Sequence, residues 1–167
     1  MMRISESGKE FIKKHEGLRL VRYPDAGGKD TIGYGHLILA SDVIGTNITQ
    51  QQADMMLSSD LMWAEKAVND GILIALNQNE FDALVSFVFN VGSGAFSKGT
   101  LRNLINSRQP SAAIYNWWTT HYITAGGKEL EGLKTRRKEE AEMFRYGLKK
   151  KFSSPSLAQS SSQEFAL

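Results

Sequence analysis

Apolar positions along this chain recur mostly at helical spacing, with one short stretch near the start where they alternate instead. Ser7 and Glu10 have the spacing of a capping box, and Phe11, Ile12 and His15 continue on one face. A helix is therefore predicted from Ser7, with Gly17 as its stop. Leu18, Leu20 and Arg22 then alternate with Arg19, Val21 and Tyr23, which reads as a short strand. A second strand is predicted over 31–39, with 24–29 as the loop between them, and the pair would form a small twisted sheet. After a loop at 41–47, Thr49 and Gln52 make a second capping box. Ala53, Met56, Leu57, Leu61, Ala64 and Val68 follow at spacings of three and four, and Asn69-Asp70-Gly71 closes the run. Such a helix of about 20 residues is roughly 30 Å long. It could join two lobes, and the pattern serves an ordinary surface helix equally well.

In the second half the pattern stays helical. Asn77 and Glu80 cap a run in which Phe81, Leu84, Val85, Val88 and Phe89 are apolar nearly all round, the mark of a buried central helix. Asn90, Gly92 and Gly94 end it. Shorter helices are predicted at 100–107 and, with Pro110 in the first turn, at 111–122. Of Trp117 and Trp118 in the latter, one is assigned to the core and the other to a groove. Ala125-Gly126-Gly127 is a loop, and a last helix runs over 133–146 with Met143 and Phe144 inward and Gly147 closing it. From Leu148 the chain turns basic and then serine-rich, with little to bury, so residues 148–167 are expected to be a disordered tail.

Composition narrows the class. At 167 residues and 41% hydrophobic content the chain supports one substantial core, or two small lobes sharing a helix. The formal charge of +2 is too small to argue for nucleic acid. Arg136, Arg137 and Lys138 are followed at once by Glu139, Glu140 and Glu142, so that basic run reads as a self-compensated solvated face. There is no cysteine, and the absence of disulfides fits a bacterial cytosol. The first 25 residues carry Arg3, Lys9, Lys13 and Lys14 without an apolar core, so no signal peptide is expected. No run approaches the ~18 apolar residues of a membrane span. His15, His36 and His121 lack metal-site spacing, and neither a metal nor a cofactor is expected.

The candidate chemistry lies between Glu16 and His36, where Glu16, Asp25 and Thr31 stand among glycines at 27, 28, 33 and 35. Glycines this dense let backbone approach a ligand closely. Glu16 ends the first helix, where the negative end of the dipole disfavours a charged carboxylate, and a group that keeps its proton suits a general acid. A two-carboxylate hydrolase would use such an acid with a second carboxylate that brings in water. Asp25 and Asp30 both qualify for the second role on physical grounds.

The stretch EGLRLVRYPDAGGKDTIGYGH (16–36) resembles the catalytic signature of the phage-type lysozymes, glycoside hydrolase family 24. Glu16, Asp25, Thr31 and Ile32-Gly33-Tyr34-Gly35-His36 fill that pattern without a gap. The resemblance continues through ALVSFVFNVGSGAF (83–96), TLRNLIN (100–106), AGGKELEGLKTRR (125–137) and EEAEMF (139–144), and so covers nearly all of 5–147. Some relatives carry Cys at the Asp25 position, and this chain does not. The resemblance implies an α+β, mostly helical, two-lobed fold. A small sheet lobe at about 12–50 and a helical lobe at about 72–147, which includes the first helix, would be joined by the helix at 50–70. It implies one catalytic domain over 1–147.

The family spacing selects Asp25 over Asp30. It makes Glu16 the acid, Asp25 the base that orients water, and Thr31 the group that holds it. Leu37, Phe89 and Thr100 align with residues lining the sugar groove, and His36 is given a supporting hydrogen bond within the sheet. The implied reaction is hydrolysis of the β-1,4 bond between N-acetylmuramic acid and N-acetylglucosamine in peptidoglycan by a monomer. The enzyme would wait in the host cytoplasm for a holin-type pore or an injection apparatus, its tail touching anionic envelope polymers at most. Two rival readings stand: a non-catalytic peptidoglycan- or chitin-binding module, and a chitinase with the same acid–base pair.

Overall fold

The computed structural model describes residues 1–146, so the expectation of a disordered tail lies outside the described residues. Helix α1 (Glu6–Glu16) starts two residues earlier than the capping-box spacing predicts. Its N-cap is Ser5, whose hydroxyl accepts from Gly8 N at 3.0 Å. The reason is tertiary. Ser5 also bonds Asp82 through its hydroxyl and, at 3.0 Å, through its backbone N–H, which fixes the helix start against a distant helix. Gly17 ends α1 with φ of 73°, a conformation that favours glycine.

Strands β1 (Arg19–Pro24), β2 (Asp30–Gly33) and β3 (His36–Leu37) form one antiparallel sheet in that order. The single strand expected over 31–39 is therefore two, because Gly33 and Gly35 both take positive φ and the chain reverses between them. Tyr23 pairs with Thr31 and Pro24 with Asp30, while Thr31 pairs with Leu37 on its other side.

The helix expected over 50–70 is α2 (Gln50–Asp60) followed by α3 (Met62–Gly71). Thr49 and Gln52 form the foreseen capping box. At Leu61 ψ falls to −15°, yet Leu61 N still bonds Leu57 O and Glu65 N bonds Leu61 O, both at 2.9 Å. The ladder runs on through the joint.

Helix α4 (Gln78–Val91), capped by Asn77 and Glu80 as foreseen, is the centre of the helical lobe. It packs on α1, on α3 and on α8 (Glu131–Tyr146), with Phe81, Leu84, Val85 and Val88 fully buried. Around it lie α5 (Ser93–Ser97), which the glycines at 92 and 94 had masked as loop, α6 (Thr100–Asn106) and α7 (Ser111–Thr120). The 125–127 loop is the turn of a small hairpin, β4 (Thr124–Ala125) with β5 (Lys128–Glu129). Trp118 is wholly buried; Trp117 stacks on His121 at 4.2 Å between ring centroids.

Candidate active site

Glu16 is the last residue of α1. Its Oε1 accepts a 2.6 Å hydrogen bond from Arg136 Nη1 of α8. Its Oε2 lies 3.7 Å from the position a Cβ on Gly35 would occupy. One oxygen is thus held by the body of the protein, and the other faces the glycine turn between β2 and β3. Gly35 has φ of 87°, so a side chain there would be strained, although its Cβ would meet the carboxylate only at ordinary contact distance.

Arg136 is itself gripped from behind, by partners that correct the solvated-face reading. Arg136, Arg137 and Glu140 are all buried, because α8 turns this side onto α4 and α7. Glu140 Oε1 accepts from Arg136 Nε at 3.1 Å, Arg137 Nη2 at 3.0 Å and Ser86 Oγ at 2.7 Å, and its Oε2 from Trp118 Nε1 at 3.2 Å. The Phe87 ring lies 5.0 Å from the Arg137 guanidinium carbon. Burial holds the Arg137 guanidinium below its ordinary value against the opposing pull of Glu140. A buried cation needs such partners to offset its lost hydration.

Asp25 directly follows β1. Its Oδ1 accepts from Gly27 N and Lys29 N, each at 2.8 Å. Thr31 is buried on β2 and donates its hydroxyl proton to Lys29 O at 2.9 Å. The peptide groups of Lys29 therefore tie the Asp25 carboxylate and the Thr31 hydroxyl to one another. Asp30, the rival carboxylate, is exposed, and its nearest cation is Arg22, 3.6 Å away.

Leu37 and Phe89 line one cavity of about 300 Å³ together with Gly35, His36, Asp60 and Trp63. Thr100, the first residue of α6, is not among the residues that line it. The His36 side chain finds its partners outside the sheet, although its backbone pairs with Ile32. Its Nδ1 meets Asp60 of α2 at 2.8 Å and 3.0 Å, and its Nε2 stands 3.6 Å from Asp42. Burial raises the Asp60 carboxyl, opposing the His36 bond. Among the described residues no cluster of three His, Cys, Asp or Glu is arranged to hold a metal.

Arg136, Glu140, Asp60 and Trp63 escaped the sequence reading. The i,i+4 spacing of Arg136 and Glu140 announced that they would pair, but nothing local announced burial or the link to Glu16.

A small three-stranded sheet on a mostly helical body is the lysozyme-like fold of the phage endolysins. The phage lysozyme family model matches residues 13–140, and the chain belongs to that family. It is a peptidoglycan-hydrolysing glycoside hydrolase, a muramidase. An endolysin of Acyrthosiphon pisum secondary endosymbiont phage 1 is 38% identical over 145 residues, spanning 86% of this chain and 98% of that one. The structure of an endolysin from Escherichia coli O157:H7 phage FAHEc1 matches with TM-score 0.76 and 36% identity over 88% of this chain and 96% of its own. The muramidase domain of SpmX from Asticaccaulis excentricus matches with TM-score 0.77 and 33% identity, over 86% and 98% respectively.

Proposed function

We propose that Glu16 is the general acid of a muramidase that cuts the β-1,4 bond between N-acetylmuramic acid and N-acetylglucosamine. The supporting observation is the unlike setting of its two oxygens. Arg136 occupies Oε1, so the proton would be carried on Oε2, which faces Gly35. That proton passes to the glycosidic oxygen as its bond to the anomeric carbon breaks. Asp25 takes a proton from water on the opposite face of the sugar. Thr31 can accept from the same water, since its own proton is given to Lys29 O. The new C–O bond then forms with inverted configuration.

The tie through Lys29 supports Asp25 rather than Asp30 as the base, because it sets carboxylate and hydroxyl at fixed positions. Leu37 and Phe89 form an apolar wall for the sugar. We infer further that the enzyme acts after release to the cell wall, through a holin-type pore or by injection, as its resemblance to endolysins supports.

Purified peptidoglycan incubated with the protein and scored for new reducing ends tests this reading. Release of reducing ends that is lost in both Glu16→Gln and Asp25→Asn is the expected result. A binding module would release none, a chitinase would prefer chitin, and an active Asp25→Asn protein would remove Asp25 from the mechanism.

A further inference from the structure

A second aromatic side chain lines the cavity that Leu37, Phe89 and Gly35 share. Trp63, in the first turn of α3, is 42% exposed, and its ring centroid lies 5.9 Å from that of Phe89 with 32° between the planes. The two rings share a wall of the cavity of about 300 Å³. Gly35 connects that cavity to the reaction centre, because it lines the cavity and also faces Glu16 Oε2. At the rim is Asp60, oriented by His36 and still able to accept further hydrogen bonds.

A cleft combining flat apolar walls with a few fixed polar groups is the usual form of a small-ligand site, and an aromatic face open to that cleft offers a stacking surface. A pyranose ring has one face of C–H bonds and a polar edge. An N-acetylated sugar adds an amide N–H and a methyl group to that edge. Two tilted aromatic rings with a carboxylate at the rim complement all three features: the C–H face on the rings, the methyl against Leu37, and the N–H toward Asp60.

We propose that Trp63 is a sugar-binding residue that carries the apolar face of an N-acetylamino sugar alongside the bond to be cut, with Phe89 as its neighbour and Asp60 accepting from the acetamido N–H. The proposal rests on the reading of Glu16 as the acid, since that reading puts the substrate next to Gly35. Trp117 and Trp118, on α7, have no part in this wall.

Binding is read in the folded, non-cleaving Glu16→Gln protein. It is titrated with the β-1,4-linked hexamer of N-acetylglucosamine and with uncrosslinked peptidoglycan strands, by calorimetry and tryptophan emission. Removing one stacked ring should weaken binding about tenfold in Trp63→Ala, while Trp63→Phe, which keeps a ring, stays within about threefold. With Glu16 restored, the same loss appears in KM far more than in kcat. Melting curves accompany each variant, and Trp63→Gln replaces Trp63→Ala if the latter does not fold. Affinity unchanged in folded Trp63→Ala or Trp63→Gln overturns the proposal. Failure of the Glu16→Gln parent itself to bind either probe would instead sink the active-site reading, and this proposal with it.

Discussion

Arg136 and Glu16 stand 120 positions apart in the chain and 2.6 Å apart in space. The arginine comes from the last helix and the glutamate from the first, so the proposed acid is held in place by the far end of the domain. Arg136 is 4% exposed, and its removal leaves Glu140 short of a cation and Glu16 Oε1 without its donor. Arg136→Met should destabilise the protein by about 3–5 kcal/mol, the usual cost of breaking a buried pair. Arg136→Lys keeps the charge but loses the planar fork, and should recover only part of the melting temperature. Equal melting of wild type and Arg136→Met would show that the pair holds nothing.

Glu16→Gln keeps the shape of the side chain and removes its proton. General acid catalysis supplies about 10²–10⁴-fold, and a loss at the upper end of that range is expected, with the fold intact. Near wild-type release of reducing ends by the folded variant would refute the mechanism.

The stereochemical prediction concerns Asp25 and Thr31. If Asp25 activates water rather than attacking the sugar, the first product carries the inverted anomeric configuration, readable by proton NMR within seconds of cleavage. Thr31→Glu puts a carboxylate where the proposed water would sit, and should trap a sugar adduct or change the product anomer. A retained anomer from the wild-type enzyme would make Asp25 a nucleophile.

Glu140→Gln would leave two buried guanidiniums facing a neutral amide. A loss of about 3–5 kcal/mol is expected, seen as a large fall in Tm. A Glu140→Gln protein that melts like wild type would show that Ser86 and Trp118 suffice without the charge.

His15 gives a pH signature. Burial, aided by the Arg136 cation, lowers its imidazole from the ordinary 6.5, while Glu139, bonded at 2.8 Å, pulls the other way. The unfolded chain therefore takes up a proton near pH 6.5 that the folded protein resists. Nothing is lost above that pH, and stability falls as pH drops from there through the lowered folded value. Tm measured from pH 8 downward should decline across that window, and His15→Gln should decline less. Identical slopes would exclude His15 as the cause.

Local signals were the legible part of the sequence. Both capping boxes at Thr49 and Asn77 appear where their spacing put them, because a cap is settled within four residues. Ser7 failed as a cap because Ser5 has a partner in Asp82, 77 positions on, which no local pattern reveals. The third strand was hidden for a related reason. Gly33 and Gly35 were visible, but the reversal between them depends on Thr31 pairing with both Tyr23 and Leu37. Glu16, Asp25 and Thr31 became candidates only through the family motif, since each taken singly is an ordinary helix-end, turn or strand residue. The polarity of α8 disguised Arg136 and Glu140, since a buried charged pair and a solvated one read alike.

The first helix has a further consequence for how the protein is made. Ile4 N bonds Glu65, Ser5 bonds Asp82, and Glu16 is held by Arg136, partners 61, 77 and 120 positions further along. A ribosome emits α1 early, yet each clasp on it waits for later residues, the last of them in α8. An unfinished chain thus carries its proposed acid with nothing to seat it. Any product cut short before residue 136 is expected to be inert, so competence to attack a wall arrives only with nearly complete synthesis.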